Sequence, residues 1–452
     1  MPALTINGIN VTVDSGATVL AATEKLSIAI PTLCHLKDSR PETSCMLCGV
    51  KDLTSGRLIL ACSTPAADGM NLDTTCAEVQ TARRNILNLL LSEHVGDCEA
   101  PCKRTCPAHL NTPLMLREIL RGNFDSAAWI ARRDLAIPVA LGYICPSPCE
   151  KACRRGQLST PLTIRRLHRQ IVESASSAPD PLTPLGPRKI AVIGSGAAGL
   201  SCAWNLRLLG YACTIFDEHP LAGGSLRHET ALPSEVLDTE LRRLQAAGIE
   251  FQLNAIPPAH GFEAVLQPEE HKLAVRAVAN GKRTAHTFHH HNRPDQPLFD
   301  SKTGKLNDAE LRECLKNGES LDSHATSAQI EAQKCLHCDC RKPVQCKLRK
   351  YAQQYGADVR EFPAETRAPV QLMGHTEDVI FEPGKCIRCG ICIKLSARTG
   401  HGLGLAFTGR GSKTQVRVPF GETLQKGLHS AAADCVSSCP TGALAFRLGE
   451  DH

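Results

Sequence analysis

The chain has 452 residues, a formal net charge of +5 and 23 cysteines. A single hydrophobic core stops growing at about 250–300 residues, so this length predicts several domains. The apolar runs are far shorter than the ~18 residues that a membrane span needs, and no long basic tract carries interleaved aromatic residues. These observations argue against a membrane-spanning protein and against a nucleic-acid-binding protein.

Nearly all of the cysteines fall in tight groups, which points either to disulfides or to metal. Residues 1–9 lack the basic and apolar regions of a signal peptide, and a nucleotide-binding glycine turn lies in mid-chain. Both features favour a reducing cytoplasm over a secreted, disulfide-rich scaffold. Spacings of two or three residues bring thiolates close enough to share one inorganic centre, and bound iron–sulfur clusters would move the net charge to about −3.

The first predicted domain, residues 1–78, is a small sheet whose loops carry cysteines. Residues 3–13 alternate between apolar and polar and contain Asn7-Gly8, a two-residue hairpin signal, and residues 16–29 are predicted to form a short helix. The cysteines that follow have the spacing C-x10-C-x2-C-x13-C. They are Cys34, Cys45, Cys48 and Cys62.

This cysteine pattern, with the segments CMLCGV and LACSTP, resembles the N-terminal ferredoxin domain of the respiratory complex I large iron–sulfur subunit and of iron-only hydrogenases. The resemblance implies a β-grasp fold and a [2Fe–2S] cluster, in which each iron takes two of the four sulfurs. A structural zinc site is the alternative. Zinc normally takes two C-x2-C pairs, and a first gap of ten residues suits it poorly.

Residues 79–173 are predicted to be a helical region with two further cysteine groups, and an amphipathic helix is predicted over 77–93. The groups have the patterns C-x3-C-x3-C-P and C-P-S-P-C-x3-C. They contain Cys98, Cys102, Cys106, Cys145, Cys149 and Cys153. The pair resembles the helical double-cluster domain of the glutamate synthase small subunit and of dihydropyrimidine dehydrogenase. The resemblance implies that the first, second and last of these cysteines hold one [4Fe–4S] cluster and that the other three hold another.

Six cysteines leave each of these two clusters one ligand short. His94 lies four residues before Cys98, in a segment, LLLSEHVGDC, that resembles the His-x3-Cys start of a complex I cluster site. His168 falls in LTIRRLH, where the double-cluster family has glutamine or glutamate. Imidazole is an established iron ligand, so both histidines are predicted as ligands. The alternative for His94 is a polar residue at a helix end.

A Ser/Pro linker over 174–188 leads to a predicted Rossmann-like domain at residues 187–292. The strand KIAVI, a G-x-G-x-x-G turn and the helix LSCAWNLRLLG follow one another, and an acidic residue ends the next strand. This context is typical of a dinucleotide site, where glycines let the backbone approach a pyrophosphate at the helix N-terminus. The predicted cofactor-binding residues are Gly194, Gly196, Gly199, Asp217, Gly223 and Gly224.

The segment from Asp217 to Gly224 resembles the FAD-binding half of the glutamate synthase small subunit, which implies FAD rather than NAD. That family inserts a complete NAD(P)H domain before the FAD fold resumes, whereas here GFEAVL is followed almost at once by HKLAVRAVANGKRTAH. No second G-x-G-x-x-G turn occurs after Gly199. The nicotinamide domain is therefore predicted to be missing. The alternative for the remaining part is a scaffold that holds no flavin.

Two more cysteine groups lie in predicted domains at residues 300–372 and 373–452. The first, C-x2-C-x-C-x5-C, can wrap one [4Fe–4S] cluster, with a zinc knuckle as the alternative. Its members are Cys335, Cys338, Cys340 and Cys346. The second begins with Cys386, Cys389 and Cys392, and its fourth cysteine is remote. With CIRCGIC, TGRG and SCPTGAL it resembles a [4Fe–4S] site of the complex I large subunit. The resemblance favours Cys439, which precedes a proline, over Cys435.

The whole sequence predicts a multi-domain protein of α+β and α/β class: a β-grasp ferredoxin, a helical double-cluster domain, a truncated Rossmann-like FAD domain and C-terminal ferredoxin-like cluster domains. It would carry one [2Fe–2S] cluster, about four [4Fe–4S] clusters and FAD, with no catalytic residue identified. We expect a cytoplasmic electron-transfer subunit of a soluble oxidoreductase, with an NAD(P)H diaphorase, formate dehydrogenase or hydrogenase as partner. The alternatives are a self-sufficient FAD-dependent NAD(P)H oxidoreductase and a scaffold whose cysteines bind zinc.

Overall fold

The computed structural model describes residues 1–176, 179–291, 306–316, 324–358, 361–362, 368, 370–374, 378–400 and 402–449. The chain forms two compact units, and neither is continuous in sequence. The first unit consists of Met1–Glu99, Ser301–Asn317 and Cys338–His452, and the second of Ala100–Asp300 and Gly318–His337. The predicted domain at 300–372 is thus divided between the units, and part of it lies outside the described residues. No helix of the described part is long and apolar enough to cross a bilayer.

The described part of the chain is built from short strands and helices. The strands are β1 (Ala3–Ile6), β2 (Ile9–Thr12), β3 (Gly49–Asp52), β4 (Arg57–Leu60), β5 (Asn71–Asp73), β6 (Lys189–Ile193), β7 (Ala212–Asp217), β8 (Ile249–Leu253), β9 (Ala264–Leu266), β10 (Val379–Phe381), β11 (Ala406–Thr408), β12 (Gln415–Arg417) and β13 (Leu444–Phe446). The helices are α1 (Val19–Lys25), α2 (Ala77–Ser92), α3 (Pro101–Thr105), α4 (Thr112–Leu120), α5 (Phe124–Leu135), α6 (Pro138–Ile144), α7 (Pro148–Lys151), α8 (Ile164–Ser174), α9 (Ala197–Leu208), α10 (Ser234–Ala246), α11 (Ala274–His291), α12 (Asp308–Lys316), α13 (Ser327–Ala332), α14 (Lys347–Gln354), α15 (Ile391–Arg398), α16 (Leu424–Leu428) and α17 (Ala432–Ser438).

The first unit begins with a five-stranded mixed sheet in the order β2-β1-β5-β3-β4. β1 and β2 form an antiparallel hairpin with Ile6 opposite Ile9, and Asn7 and Gly8 in its turn have φ values of 51° and 79°. This confirms the hairpin that Asn7-Gly8 predicts, because a type I′ turn needs positive φ at both central positions. Ile6 and Leu72 from this sheet pack in one buried cluster with residues of α1.

The C-terminal part of the first unit is built on two short antiparallel pairs, β10 with β13 and β11 with β12. α16 packs on β10, and α17 packs on β13 and α15. The buried apolar cluster between them includes Phe381, Leu424 and Leu444. α15 starts directly after Gly390, whose φ of 74° turns the chain into the helix, so Cys392 lies in the first turn.

The second unit contains a four-stranded parallel sheet in the order β8-β7-β6-β9. α9 follows β6 through the glycine turn, and α11 packs closely against α9. A Cβ on Gly281 of α11 would lie 2.0 Å from the Ala198 carbonyl oxygen, so this approach requires glycine. The predicted order of strand, glycine turn, helix and strand is confirmed.

Helices α3 to α8 form the cysteine-bearing part of the second unit, and polar contacts attach it to the Rossmann-like part. The Arg243 side chain donates to the Ala136 carbonyl. The Glu240 carboxylate accepts a hydrogen bond from the Val139 N–H at 2.7 Å. Both contacts hold the start of α6, whose other end leads directly into Cys145.

Candidate functional site

The four cysteines predicted for the [2Fe–2S] cluster lie together in two close pairs. The Sγ atoms of Cys34 and Cys45 are 3.4 Å apart, and the side chains of Cys48 and Cys62 are hydrogen-bonded to each other. Two thiolates at about 2.3 Å from one tetrahedral metal are about 3.8 Å apart, so each pair suits one iron. All four cysteines are at most 5% exposed. The residues present therefore fit a shielded [2Fe–2S] cluster.

The short contact in the first pair separates the pKa values of its two thiols. The hydrogen bond with Cys45 lowers the pKa of Cys34 to about 5. The same bond raises the pKa of Cys45. One thiolate is thus favoured in this pair at neutral pH, and the thiolate is the form that binds metal.

The cysteines near the C-terminus converge on one cavity with apolar walls. Its lining includes Cys386, Cys389, Cys392 and Cys439. Cys435 is not among the lining residues. It is fully buried in the adjacent core, where its Sγ donates to the Cys392 carbonyl at 3.6 Å. The structure therefore brings Cys439 to the other three cysteines and points Cys435 elsewhere.

The thiols of this cavity are suited to loading with metal rather than to acting as free nucleophiles. Burial raises the pKa of Cys386 to about 11 and also raises the pKa values of Cys389 and Cys392. Such thiols stay protonated at neutral pH unless a metal displaces the proton. The Arg388 N–H donates to the Cys386 Sγ at 3.4 Å, which stabilises negative charge on that sulfur.

A buried lysine holds the remote cysteine of this cavity in place. Lys342 is 2% exposed. Its Nζ donates to the Val436 carbonyl at 2.5 Å and to the Cys439 carbonyl at 2.9 Å. These carbonyls end α17, where a positive charge is favoured by the helix dipole. Lys342 therefore fixes the end of α17 and places a cation near the thiols.

Cys98, Cys340 and Cys346 belong to the first unit and lie close to one another. Burial raises the pKa of Cys346, and the neighbouring Cys340 and Cys98 raise it further because like charges repel. A Cβ on Gly442 would lie 2.2 Å from the Cys340 Sγ, so Cys340 packs against the loop that follows Cys439. Cysteines from two separate groups of the sequence thus meet in one place.

The segment that follows α2 is fixed next to these cysteines. The Asp97 N–H donates to the Cys338 carbonyl at 3.2 Å, and the Glu99 carboxylate lies 3.5 Å from the Arg349 guanidinium. His94, at the start of the segment, is 8% exposed. The predicted ligand His94 therefore lies in the same unit and the same short segment as Cys98.

Three cysteines from different groups lie in the second unit. α3, which carries Cys102, packs against α7, which ends just before Cys153. The Arg155 Nη1 donates to the Lys334 carbonyl at 3.4 Å, and this bond brings Cys335 next to the chain that follows Cys153. The boundary between the two units falls between Cys335 and the three cysteines that follow it in sequence.

Cys106, Cys145 and Cys149 form a further group in the second unit. Burial raises the pKa of Cys149, and the neighbouring Cys106 and Cys145 raise it further. His168 lies on α8, which packs against α6, the helix that leads into Cys145. Burial lowers the pKa of His168 to about 4, and its Nδ1 is buried without a hydrogen-bond partner. The His168 ring is hydrogen-bonded to the backbone of Pro138 at the start of α6. A neutral imidazole with a second, unpaired nitrogen can bind iron, so His168 stays the predicted fourth ligand of this group.

Lys282 of α11 reaches into this group from the Rossmann-like part. Its Nζ donates to the Ala108 carbonyl at 3.1 Å. Burial lowers the pKa of Lys282, and the neighbouring Asp134 carboxylate opposes that shift. Cys106 lies within the influence of both charges. The Rossmann-like part therefore supplies a buried cation beside a predicted iron ligand.

The predicted dinucleotide residues form a glycine turn whose acidic residue is already engaged. Gly194 has a φ of 89°, and a Cβ on Gly199 would lie 1.8 Å from the Gly194 carbonyl oxygen, so both glycines are required. Asp217 Oδ2 accepts from the Ser195 N–H at 2.8 Å, and Oδ1 accepts from the His219 N–H at 2.9 Å. Burial raises the pKa of Asp217, but hydrogen bonds from Ser195 and His219 outweigh it and lower the pKa to about 2.

The open space beside Gly196 is taken by a carboxylate of the same chain. A Cβ on Gly196 would lie 2.2 Å from the Glu270 Oε1, and this oxygen accepts from the Ala198 N–H at 2.8 Å. Gly223 and Gly224, with φ values of 120° and 49°, bring the next loop against Gly196 from another side. A pyrophosphate would need the same backbone groups. The residues present therefore do not fit a bound dinucleotide.

Three protein families match separate parts of this chain. A 2Fe-2S iron–sulfur cluster binding domain matches residues 3–76. Dihydropyrimidine dehydrogenase domain II, 4Fe-4S cluster, matches residues 91–179. An NAD(P)-binding Rossmann-like domain matches residues 192–253. The chain is therefore a mixed α/β, multi-domain iron–sulfur protein, and the predicted combination of these three kinds of domain is confirmed.

Curated relatives are similar to parts of this chain. It is 34% identical over 183 residues to the NADP(+)-dependent formate dehydrogenase subunit beta of Moorella thermoacetica, which covers 34% of this chain and 26% of that protein. It is 34% identical over 164 residues to the NAD-dependent dihydropyrimidine dehydrogenase subunit PreT of Salmonella typhimurium, covering 34% of this chain and 40% of that one. It is 38% identical over 125 residues to the NADPH-Fe(3+) oxidoreductase subunit beta of Geobacter sulfurreducens, covering 27% and 19%. The chain thus matches less than half the length of these relatives.

The sequence did not point to two charged side chains at these sites, Lys282 and Glu270, and it left Lys342 open between a neighbour that offsets cluster charge and a solvated surface residue. Lys342 lies in a basic stretch that the sequence does not distinguish from a solvated surface. Lys282 and Glu270 lie outside every cysteine group and outside the glycine turn. Their positions depend on which distant segments pack together, and no local spacing encodes that.

Proposed function

We propose that this chain relays single electrons between a redox partner and an acceptor through iron–sulfur clusters, as a subunit of a larger oxidoreductase. One observation carries the proposal. In the first unit, cysteines of three predicted cluster sites lie in a single buried apolar core that contains Cys34, Cys45, Cys346 and Cys389. Centres held from one core are close together and shielded from water, which is what a relay of electrons needs.

The influence of the thiols on one another's pKa values indicates which of these sites are neighbours. After burial and the nearer thiols, Cys34 is among the groups that raise the pKa of Cys389. Cys439 is likewise among the groups that raise the pKa of Cys346. The C-terminal cysteine site is therefore the neighbour of both the [2Fe–2S] site and the Cys346 site. We infer a linear series with the C-terminal site in the middle.

Each proposed ligand set is drawn from the cysteines and histidines of one compact unit. In the first unit the sets are Cys34, Cys45, Cys48 and Cys62 for [2Fe–2S]; Cys386, Cys389, Cys392 and Cys439 for one [4Fe–4S]; and His94, Cys98, Cys340 and Cys346 for another. In the second unit one set is Cys106, Cys145, Cys149 and His168, and Cys102, Cys153 and Cys335 supply thiolates to the remaining cluster. This partition differs from the sequence-based one, in which Cys98 joins Cys102 and one cluster takes all four cysteines at 335–346, and it leaves the predicted ligand Cys338 unassigned.

The protein's own residues would hold the clusters and tune them. An iron–sulfur cluster supplies reversible one-electron transfer when it is bound. The Arg388 N–H and the Arg349 N–H donate to the Sγ atoms of Cys386 and Cys346, each at 3.4 Å. Hydrogen bonds to cluster sulfurs raise the reduction potential, because they stabilise the more negative reduced form.

The partner would hold the substrate chemistry. The relatives from Moorella, Salmonella and Geobacter are each described as a subunit of an oxidoreductase. We propose a partner subunit that oxidises NAD(P)H, formate or hydrogen. Anaerobic co-purification from the native host, followed by identification of the bound subunit, tests this part of the proposal.

Anaerobic reconstitution tests the relay itself. The full chain supplied with iron and sulfide is expected to turn brown and to hold about 18 irons, the sum for one [2Fe–2S] and four [4Fe–4S] clusters. Dithionite reduction should give several EPR signals at low temperature. A Cys48→Ser variant should lose about two irons and the [2Fe–2S] signal alone. A colourless, zinc-loaded protein without acid-labile sulfide would refute the relay and support a zinc scaffold.

Substitutions at His168 test the histidine ligand. His168→Leu is expected to remove about four irons, because no side chain replaces the imidazole. His168→Cys should retain the cluster and lower its midpoint potential, since a thiolate adds a negative charge. Iron analysis and an EPR-monitored redox titration measure both effects. His260→Leu, at an exposed histidine far from the cysteines in sequence, is the control. Full iron content in His168→Leu would rule out ligation.

A further inference from the structure

Glu270 lies where the glycine turn of a Rossmann-like domain normally receives a phosphate group. Its Oε1 accepts from the Ala198 N–H at 2.8 Å, and the Gly199 N–H is hydrogen-bonded to the same carboxylate. Both N–H groups belong to the first turn of α9, a helix of 12 residues. The carboxylate thus satisfies donors that would otherwise face a ligand.

The carboxylate opposes a bound pyrophosphate by its position as well as by its charge. In dinucleotide sites the second glycine lacks a side chain so that the backbone can approach the pyrophosphate. Here the Glu270 Oε1 would lie 2.2 Å from a Cβ on Gly196, so it occupies that approach. Glu270 is an exposed residue in the segment between β9 and α11, and its carboxylate reaches the turn. A phosphate group could enter only by displacing a like-charged carboxylate.

Asp217, the acid predicted to bind a ribose, already accepts hydrogen bonds from groups of the protein. Asp217 accepts from the N–H and the hydroxyl of Ser195 through Oδ2, at 2.8 and 2.5 Å. The N–H and ring Nδ1 of His219 lie 2.9 and 2.8 Å from Oδ1. The Ser195 hydroxyl in turn accepts from the Gly223 N–H at 2.9 Å. A ribose hydroxyl would have to break this network.

The Rossmann-like part also contacts the cysteine-bearing helices, and these contacts give it a structural role. Lys282 donates to the Ala108 carbonyl, two residues after the predicted ligand Cys106. Arg243 lies 4.7 Å over the Trp204 ring, and it fixes the start of α6 through the Ala136 carbonyl. These contacts all lie within the second unit and lead to the Cys106 site.

We propose that the Rossmann-like domain of this chain binds no flavin or nicotinamide dinucleotide, because Glu270 fills the pyrophosphate cradle, and that the domain serves as a support for the cluster site of Cys106. It follows that electrons do not leave or enter the chain through a flavin of its own. This inference stands independently of the electron-relay proposal, since it concerns only the glycine turn and the contacts of Lys282.

The first test measures flavin in the complete holoprotein. The chain is reconstituted anaerobically with iron, sulfide and an excess of FAD, freed of unbound ligand, and acid-extracted. The expected result is a full complement of iron with FAD far below one per chain. One FAD per chain overturns the proposal. Iron is counted in the same sample, so loss of the clusters would be seen separately as a failure of the relay proposal.

The second test removes the Glu270 carboxylate from the glycine turn. Glu270→Ala should lower the Tm by roughly 2–4 °C, because two helix donors lose their partner, and added inorganic pyrophosphate should restore it. Glu269→Ala removes the same charge from the preceding, exposed residue and is the matched control. The wild type and the control should show no shift with pyrophosphate. Equal stabilisation of the wild type and Glu270→Ala by pyrophosphate would show that Glu270 does not fill the site, and would overturn the proposal.

Discussion

Cys98→Ser and Cys346→Ser are each expected to lose about four irons, and the double variant is expected to lose no more than either single variant. The reason is that both cysteines lie in the first unit and, with Cys340, form one group of neighbouring thiols. Removing one thiolate of a cluster removes the cluster, so a second loss at the same site costs nothing further. Iron and sulfide analysis after anaerobic reconstitution, with EPR of the reduced protein, measures the effect.

Cys76→Ser provides the control for these variants. Cys76 stands at the N-cap of α2, outside every predicted site, and serine is a favourable residue at that position. It should retain all of its iron. If Cys98→Ser and Cys346→Ser removed different EPR signals, and the double variant lost about eight irons, the grouping by unit would be wrong and Cys98 would belong with Cys102.

Cysteine spacing predicts a site well when the ligands lie close together in sequence. Cys386, Cys389 and Cys392 line one cavity because a C-x2-C-x2-C loop can curl around a single centre before α15 begins. The N-terminal set is similar: Cys48 and Cys62 flank the hairpin of β3 and β4, whose pairing brings them together. In both cases local structure is enough to bring the cysteines close together.

Cysteine spacing does not predict ligands that come together from segments far apart in the sequence. The chain leaves the first unit after Glu99, contributes Ser301–Asn317 to it, and returns again at Cys338. Local spacing groups Cys98 with Cys102, four residues later, and does not predict that Cys340 and Cys346 are also near Cys98. Only the packing of the whole first unit, which involves residues far apart in sequence, decides between these groupings.

The Rossmann-like region shows a different limit of sequence reasoning. The strand, glycine turn and helix were predictable, because the fingerprint describes how the backbone must bend between β6 and α9. Gly194 and Gly199 are explained by that bend alone. What fills the turn depends on Glu270, which reaches it from the segment between β9 and α11. The glycine fingerprint therefore predicts the shape of the turn but not the group that binds to its N–H donors.

Buried cations account for part of the positive formal charge of the chain. Lys385 is 4% exposed and lies 2.7 Å from the Glu382 carboxylate, and its own carbonyl accepts from the Thr441 hydroxyl at 2.9 Å. Lys342 is buried as well, and its Nζ donates to the Cys439 carbonyl two residues before Thr441. Charged side chains are buried only when they are compensated. The Glu382 carboxylate compensates Lys385, and the carbonyls at the end of α17 accept the hydrogen bonds of Lys342.

Cys439→Ser is expected to remove about four irons and one [4Fe–4S] EPR signal, whereas Cys435→Ser should keep both. Cys439 lines the cavity with Cys386, Cys389 and Cys392, and Lys342 fixes its position at the end of α17. Cys435 lies in the apolar core, so a hydroxyl there should cost about 1 kcal/mol of unfolding free energy without loss of iron. The two variants carry the same substitution in the same helix region, so each controls for the other. Loss of the cluster in Cys435→Ser, with full iron in Cys439→Ser, would assign the fourth ligand to Cys435 and would mean that α17 turns differently when the site is loaded.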